Sequence, residues 1–169
     1  MVVFSFPNPV NEKAARVVAG VVAVTAAIIL ATGAHWLLIP LTYGFWARVL
    51  TGPTLSPLAR VAMKLMARDP KYVPGPPKRF AQGMGAAITS AATVLWLTGA
   101  TTAATVLVAA LLVAATLEAA LAFCLGCQVF ALLMRAGLVP DRVCAECADI
   151  RLARGRRVPG SRRPSPHAR

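Results

Sequence analysis

Between Arg79 and Arg135 the chain carries one charged residue, Glu118, in a stretch dominated by Ala, Val, Leu, Thr and Gly. A run of that length is ample for two bilayer crossings, since a transmembrane helix needs only about 20 apolar residues. The 57% hydrophobic and 14% charged content and a mean hydropathy of +0.66 extend that reading to the rest of the chain. The expected fold is all-α: a polytopic membrane protein with four transmembrane helices. A cytosolic amphipathic helix lies between spans two and three, and a short cytosolic helix follows the last span.

Four apolar segments set the expected spans at about 14–34, 36–50, 80–100 and 103–125, in a membrane domain covering residues 1–138. Asn11 is placed to cap the first helix, and Arg16 is expected to snorkel to headgroups. The second span is short, with Trp36, Tyr43 and Trp46 near its ends, where amphipathic rings favour the interface. The third is studded with Gly83, Gly85, Ala86, Ala87 and Ser90, small residues that let helices approach closely. Residues 103–134 form a further run of 32, more than one bilayer requires, so the helix is expected to project beyond the membrane or to break near Gly126. No short apolar core with a small-residue cleavage site stands at the N-terminus, so a removable signal peptide is not expected.

The connection at 51–80 is the most basic internal stretch. Ser56 followed by Pro57 reads as a helix cap with proline at the first helical position. Leu58, Val61, Ala62, Leu65 and Met66 then share one face and Arg60, Lys64 and Arg68 the other. This helix is expected to lie on a membrane surface or to pack on the protein itself. Residues 69–77, rich in proline, read as an extended return. Beyond Arg135, residues 139–153 are expected to form a Cys-containing helix and 154–169 a disordered basic tail.

The net charge of +12 from 18 Lys and Arg would suggest nucleic acid in a soluble protein. Here every cation falls on one side of the four-span scheme, which the positive-inside bias makes the cytoplasm. Both termini are then cytoplasmic, in a cell inner membrane, and the bilayer rather than nucleic acid is the expected partner, with a homo-oligomer also open.

The chemistry concentrates in Leu117–Cys127, which places Glu118, Cys124 and Cys127 at the inner end of the last span; Cys144 and Cys147 follow. An ionisable residue inside such a segment is costly enough to count as a functional candidate. Glu118 reads either as half of an ion pair with Arg48 or Arg79 or as an acid serving the thiols. In a reducing cytosol, paired Cys-x-x-Cys motifs favour redox or metal chemistry over stable disulfides, and cysteines used merely as small apolar residues remain open. Thiols three apart on a helix have α carbons about 5–6 Å apart, a separation a disulfide can close. The spacing of Cys124, Cys127, Cys144 and Cys147 also fits a four-thiolate zinc site, provided that the helix unravels near Gly126. The helix N-terminus effect on thiol acidity would favour Cys144 and Cys147 after Asp141 rather than Cys124. No phosphate loop, Ser-His-Asp set or carboxylate pair is present.

The stretches YGFWARVLTGPTLSPLARVA, GPPKRFAQGMG and LEAALAFCLGC occur in this order. On them the chain resembles a bacterial membrane family catalogued as domain of unknown function 4395, over roughly residues 10–138. Positions matching its pattern include Arg48, Gly52, Pro53, Ser56, Pro57, Pro77, Lys78, Phe80, Gln82, Glu118, Cys124, Gly126 and Cys127. The resemblance implies a four-span protein with thioredoxin-like or rhodanese-like sulfurtransferase partners, and no established activity. Three readings stay open: a thiol-disulfide or sulfur relay through Cys124, Cys127, Cys144 and Cys147 with Glu118; a membrane scaffold with a structural zinc; and a small transporter subunit using Glu118. No cofactor other than zinc is expected.

Overall fold

Helix α1 spans Glu12–Thr32 and is capped as its sequence predicts. The Asn11 side chain accepts from the amides of Lys13 at 3.1 Å and Ala14 at 3.4 Å, taking up donors that have no partner inside the helix. The computed structural model describes residues 10–68, 71–73 and 75–137; the expected helix at 139–153, the tail at 154–169, and Cys144 and Cys147 with them lie outside these. Gly33, at φ 70°, closes α1 by donating to Ile29, a left-handed conformation that glycine adopts without a Cβ penalty.

A 3₁₀ turn at His35–Leu37 leads into α2, Leu38–Thr51. α3 follows at Pro57–Leu65, α4 at Gly75–Leu97, α5 at Thr101–Leu121 and α6 at Leu125–Arg135. A two-residue antiparallel pairing of β1, Val10–Asn11, with β2, Tyr72–Val73, ties the start of the chain to the segment before α4. The fold is thus all-α apart from that bridge. Three helices, α1, α4 and α5, are long and apolar enough to cross a membrane.

α1 packs against α5 and α3, while α4 contacts α2, α5 and α6. The shared core joins Val22, Ala26 and Ile29 of α1 to Leu38, Leu41 and Phe45 of α2, Ala86 and Ala92 of α4, and Val108, Leu111 and Ala115 of α5. Small residues set the spacing, as expected: a Cβ on Gly85 would collide with the Phe45 ring. Outward faces remain apolar, with Val24, Ile39, Val94, Val106 and Val113 all more than half exposed, the pattern of helices whose surroundings are not water. Threonine hydroxyls at 25, 32, 89 and 116 donate to carbonyls one turn earlier and so need no outside partner.

Several sequence expectations change. Residues 75–77 are not an extended return, because α4 begins at Gly75 and takes Pro76 and Pro77 into its first turn, where a missing amide costs no helical bond. Arg16 does not reach headgroups. Its Nε and Nη2 donate to the Ala119 carbonyl at 3.0 and 2.9 Å, and Nη2 also to Ala120 at 2.9 Å, so it caps the C-terminal end of α5. The last long helix ends at Leu121 rather than about 125. The break falls at Ala122–Cys124, just before Gly126, with Ala122 left-handed at φ 55°.

The amphipathic helix is present at Pro57–Leu65, with Ser56 accepting from the Ala59 amide. Its inward face is narrower than the pattern implied. Ala59 and Ala62 pack with Ala14 and Val18 of α1, flanked by Leu58 and Met66, whereas Val61 and Leu65 stay exposed. The packed face satisfies the protein, and the outward residues leave an apolar strip beside the cations.

Candidate functional site

The break after α5 makes Cys124 the N-cap of α6, with backbone in the extended region at φ −89°, ψ 105°. Cys127 falls three residues later, in the first turn. The sequence reading allowed a break near Gly126 but gave the N-terminal advantage to Cys144 and Cys147 rather than to Cys124. The structure puts Cys124 itself where free amides and the helix dipole favour a thiolate. Both cysteines are free thiols; Cys124 is buried and Cys127 partly exposed.

The two thiols are coupled through one proton. The Cys127 thiol donates to Cys124, which holds Cys124 below the ordinary thiol range; burial and the Glu118 carboxylate oppose this, and the Lys78 ammonium assists it. Cys127 is pushed up by the same shared hydrogen bond and by burial. The shared bond thus favours the thiolate at Cys124 and the thiol at Cys127.

Glu118 lies in the last turn of α5 and pairs with Lys78 of α4 at 2.7 Å, with side-chain exposures of 21% and 9%. It is an ion-paired carboxylate, as one sequence reading had it, but the partner is neither Arg48 nor Arg79. Arg79 instead donates to the Val49 carbonyl. Lys78 was hidden in the sequence among the cations of the basic connection; the signal that could have singled it out is its position at the start of an apolar helix, where a cation must be buried or snorkel.

Arg48 reads in the sequence as a candidate partner of Glu118, and the structure gives it other partners. It is 5% exposed, lies 4.6 Å over the Phe45 ring, and donates Nε–H to Gln82 Oε1 at 2.7 Å. A cavity of about 240 Å³ between α1, α2, α4 and α5 is walled by Arg48, Gln82, Glu118 and Cys124 among apolar residues. Glu118 and Cys124, assigned different faces by a continuous helix, share this wall because the chain turns between them. Gly126 seals α6 to α4: a Cβ there would lie 2.5 Å from Ala81 Cα.

Among the described residues no three His, Cys, Asp or Glu side chains gather as a metal-binding group. A four-thiolate zinc site would draw Cys144 and Cys147 from outside the described residues. His35, far from the thiols at the opposite end of α1, contacts Thr105 Oγ1 at 3.3 Å and stacks on Trp96, which makes it a tie between the turn and the helices around it.

A bundle of apolar helices with a dithiol at the N-terminus of a short helix, backed by a buried ion pair, defines the class of the molecule. The family described as "Domain of unknown function (DUF4395)" matches residues 10–135, and the chain belongs to it. No curated protein and no solved structure matches the chain.

Proposed function

We propose that this is a four-span membrane protein whose Cys124–Cys127 pair exchanges two electrons with a thioredoxin-like partner at the cytosolic face. The observation that carries the reading is Cys124 at the N-cap of α6, with the Cys127 thiol donating to it. Lys78 adds a nearby cation to the same pair.

The topology follows from lengths and charge. α1, α4 and α5 suffice to cross by themselves. The 3₁₀ turn of 3 residues and α2 of 14 residues add up to about 27 Å at the usual rises, close to the roughly 30 Å hydrocarbon core. Four crossings put both ends of the domain, α3 and α6 on one side, and the Lys and Arg distribution makes that side cytosolic.

The exchange is a reversible dithiol–disulfide reaction. The Cys124 thiolate attacks a disulfide sulfur of the partner and forms a mixed disulfide, and the partner's first thiolate leaves. Cys127 then loses its proton and attacks Cys124 Sγ, expelling the partner's second thiolate. The protein's dithiol is oxidised, the partner's disulfide is reduced, and two electrons and two protons pass between them.

The test is a free-thiol count and metal analysis on detergent-purified protein. A count that falls by two under mild oxidant, recovers with reduced thioredoxin, and gives a trapped mixed disulfide in Cys127→Ser supports the exchange. About one zinc per chain, lost in Cys127→Ser, instead supports the scaffold with Cys144 and Cys147 completing the site, for which the unravelled Ala122–Cys124 segment meets one geometric requirement.

A further inference from the structure

Arg48 sits at the meeting point of two cavities. Together with Gln82, Ala15 and Val18 it lines the inner cavity beside Cys124 and also an outer one of about 270 Å³. The outer cavity lies at the end of the bundle that carries Asn11, Gly52 and Tyr72, under the packed face of α3.

The guanidinium is only partly used. Its Nε–H is taken by Gln82 and its face rests on Phe45, but Nη2 is buried with no hydrogen-bond partner among the described residues. A buried donor on a full positive charge is costly to leave unmet. Gln82, by accepting through Oε1, keeps its own amide NH₂ as a donor. Both side chains border the outer cavity.

The charge on that wall has one sign. Among the described residues Arg48 is the only charged one lining the outer cavity, whereas Glu118 lines the inner one. The rest of the outer lining is largely apolar, with Ala14, Val18, Ala59 and Met63 among it. A strongly hydrated dianion gains little there. A single carboxylate on a short hydrocarbon body satisfies the donor pair with its two oxygens and the apolar wall with its chain. At about 30 Å³ per water the cavity equals about nine waters, room for an acid of about four to six carbons, or for the head of a longer one.

We infer that the outer cavity is a binding site for an organic monocarboxylate, held by Arg48 and Gln82. The inference does not depend on the thiol exchange and concerns the outer cavity, which Cys124 does not line. The carboxylate comes either from a soluble short acid or from a fatty acid in the bilayer.

The test is titration calorimetry of the full chain in detergent or nanodiscs, with hexanoate and its neutral isostere hexanamide as probes. Saturable hexanoate binding, with hexanamide weaker by at least about tenfold, is the expected result and needs no variant. Arg48→Gln should lose the preference for the acid and Arg48→Lys should keep part of it, each checked for unchanged helical content and elution volume. Oleate supplied in the nanodisc that displaces hexanoate supports the site and names the bilayer as source; hexanoate binding unmoved by oleate supports it and names the aqueous phase. Equal binding of acid and amide, absence of saturation, or undiminished acid preference in folded Arg48→Gln overturns the inference.

Discussion

Gly126 of α6 rests directly against Ala81 of α4, so close that a Cβ would fall 2.5 Å from both the Cα and the Cβ of Ala81. The obstacle is backbone, which cannot swing aside as a long side chain would. Gly126→Ala should therefore cost about 1–3 kcal/mol of stability, the usual range for overpacking. Thermal or denaturant midpoints in detergent would show it, and Gly83→Ala, where no atom lies within 4 Å, serves as the tolerated control.

The Lys78–Glu118 pair should show the asymmetry of buried ion pairs. Glu118→Gln leaves a lysine that is 8% exposed without its carboxylate, at a cost of about 3–5 kcal/mol. Replacing both by apolar residues, Lys78→Met with Glu118→Leu, should recover most of that loss. Unfolding midpoints of the two single variants and the double variant form the cycle that checks it, and additive single losses would sink the claim.

Cys124 should react with thiol reagents with a pH midpoint below that of an ordinary thiol. A lowered pKa means more thiolate at neutral pH, hence faster reaction there with a small thiosulfonate, and a rate that levels off earlier as pH rises. The cause is the hydrogen bond from Cys127. Cys127→Ala removes the donor, so the midpoint should move up and neutral-pH reaction should slow; Cys127→Ser keeps a donor and should shift it less. Identical profiles for the two variants would show that the bond has no part in it.

Ala122 is the one non-glycine residue at positive φ among those described. Ala122→Gly removes the Cβ clash of that conformation and should stabilise the protein by about 1 kcal/mol. Ala122→Val should do the reverse. Unfolding midpoints of the two variants, read with the thiol reactivity of Cys124, would show whether the break also sets the cysteine's exposure.

The sequence was most informative where a local rule is strong. Ser56 before Pro57 marked the start of α3, Asn11 marked that of α1, and the apolar runs located the long helices. It misled where one rule overrode another. Prolines at 76 and 77 read as breakers, but at a helix start they are tolerated. The excess length of the apolar run announced a break near Gly126, but alanine is little expected in a left-handed cap, so its place at Ala122 was not legible, and the resulting N-terminus reassigns the acidity argument between the cysteine pairs. Arg16 and Lys78 appear in the sequence as topology charges and Arg48 as a candidate partner of Glu118. Their actual partners lie 103, 40 and 34 positions away, which local pattern does not report.

The reach of Arg16 to Ala119 also imposes an order on synthesis. The first helix leaves the ribosome long before the carbonyls that its guanidinium will cap exist, 103 residues later. Until then the arginine must find water or headgroup oxygens, while α3 and the β1–β2 pairing already hold that end of α1 to the chain. The latch closes only when α5 arrives, and a chain truncated before residue 119 would leave the guanidinium without the carbonyls it caps.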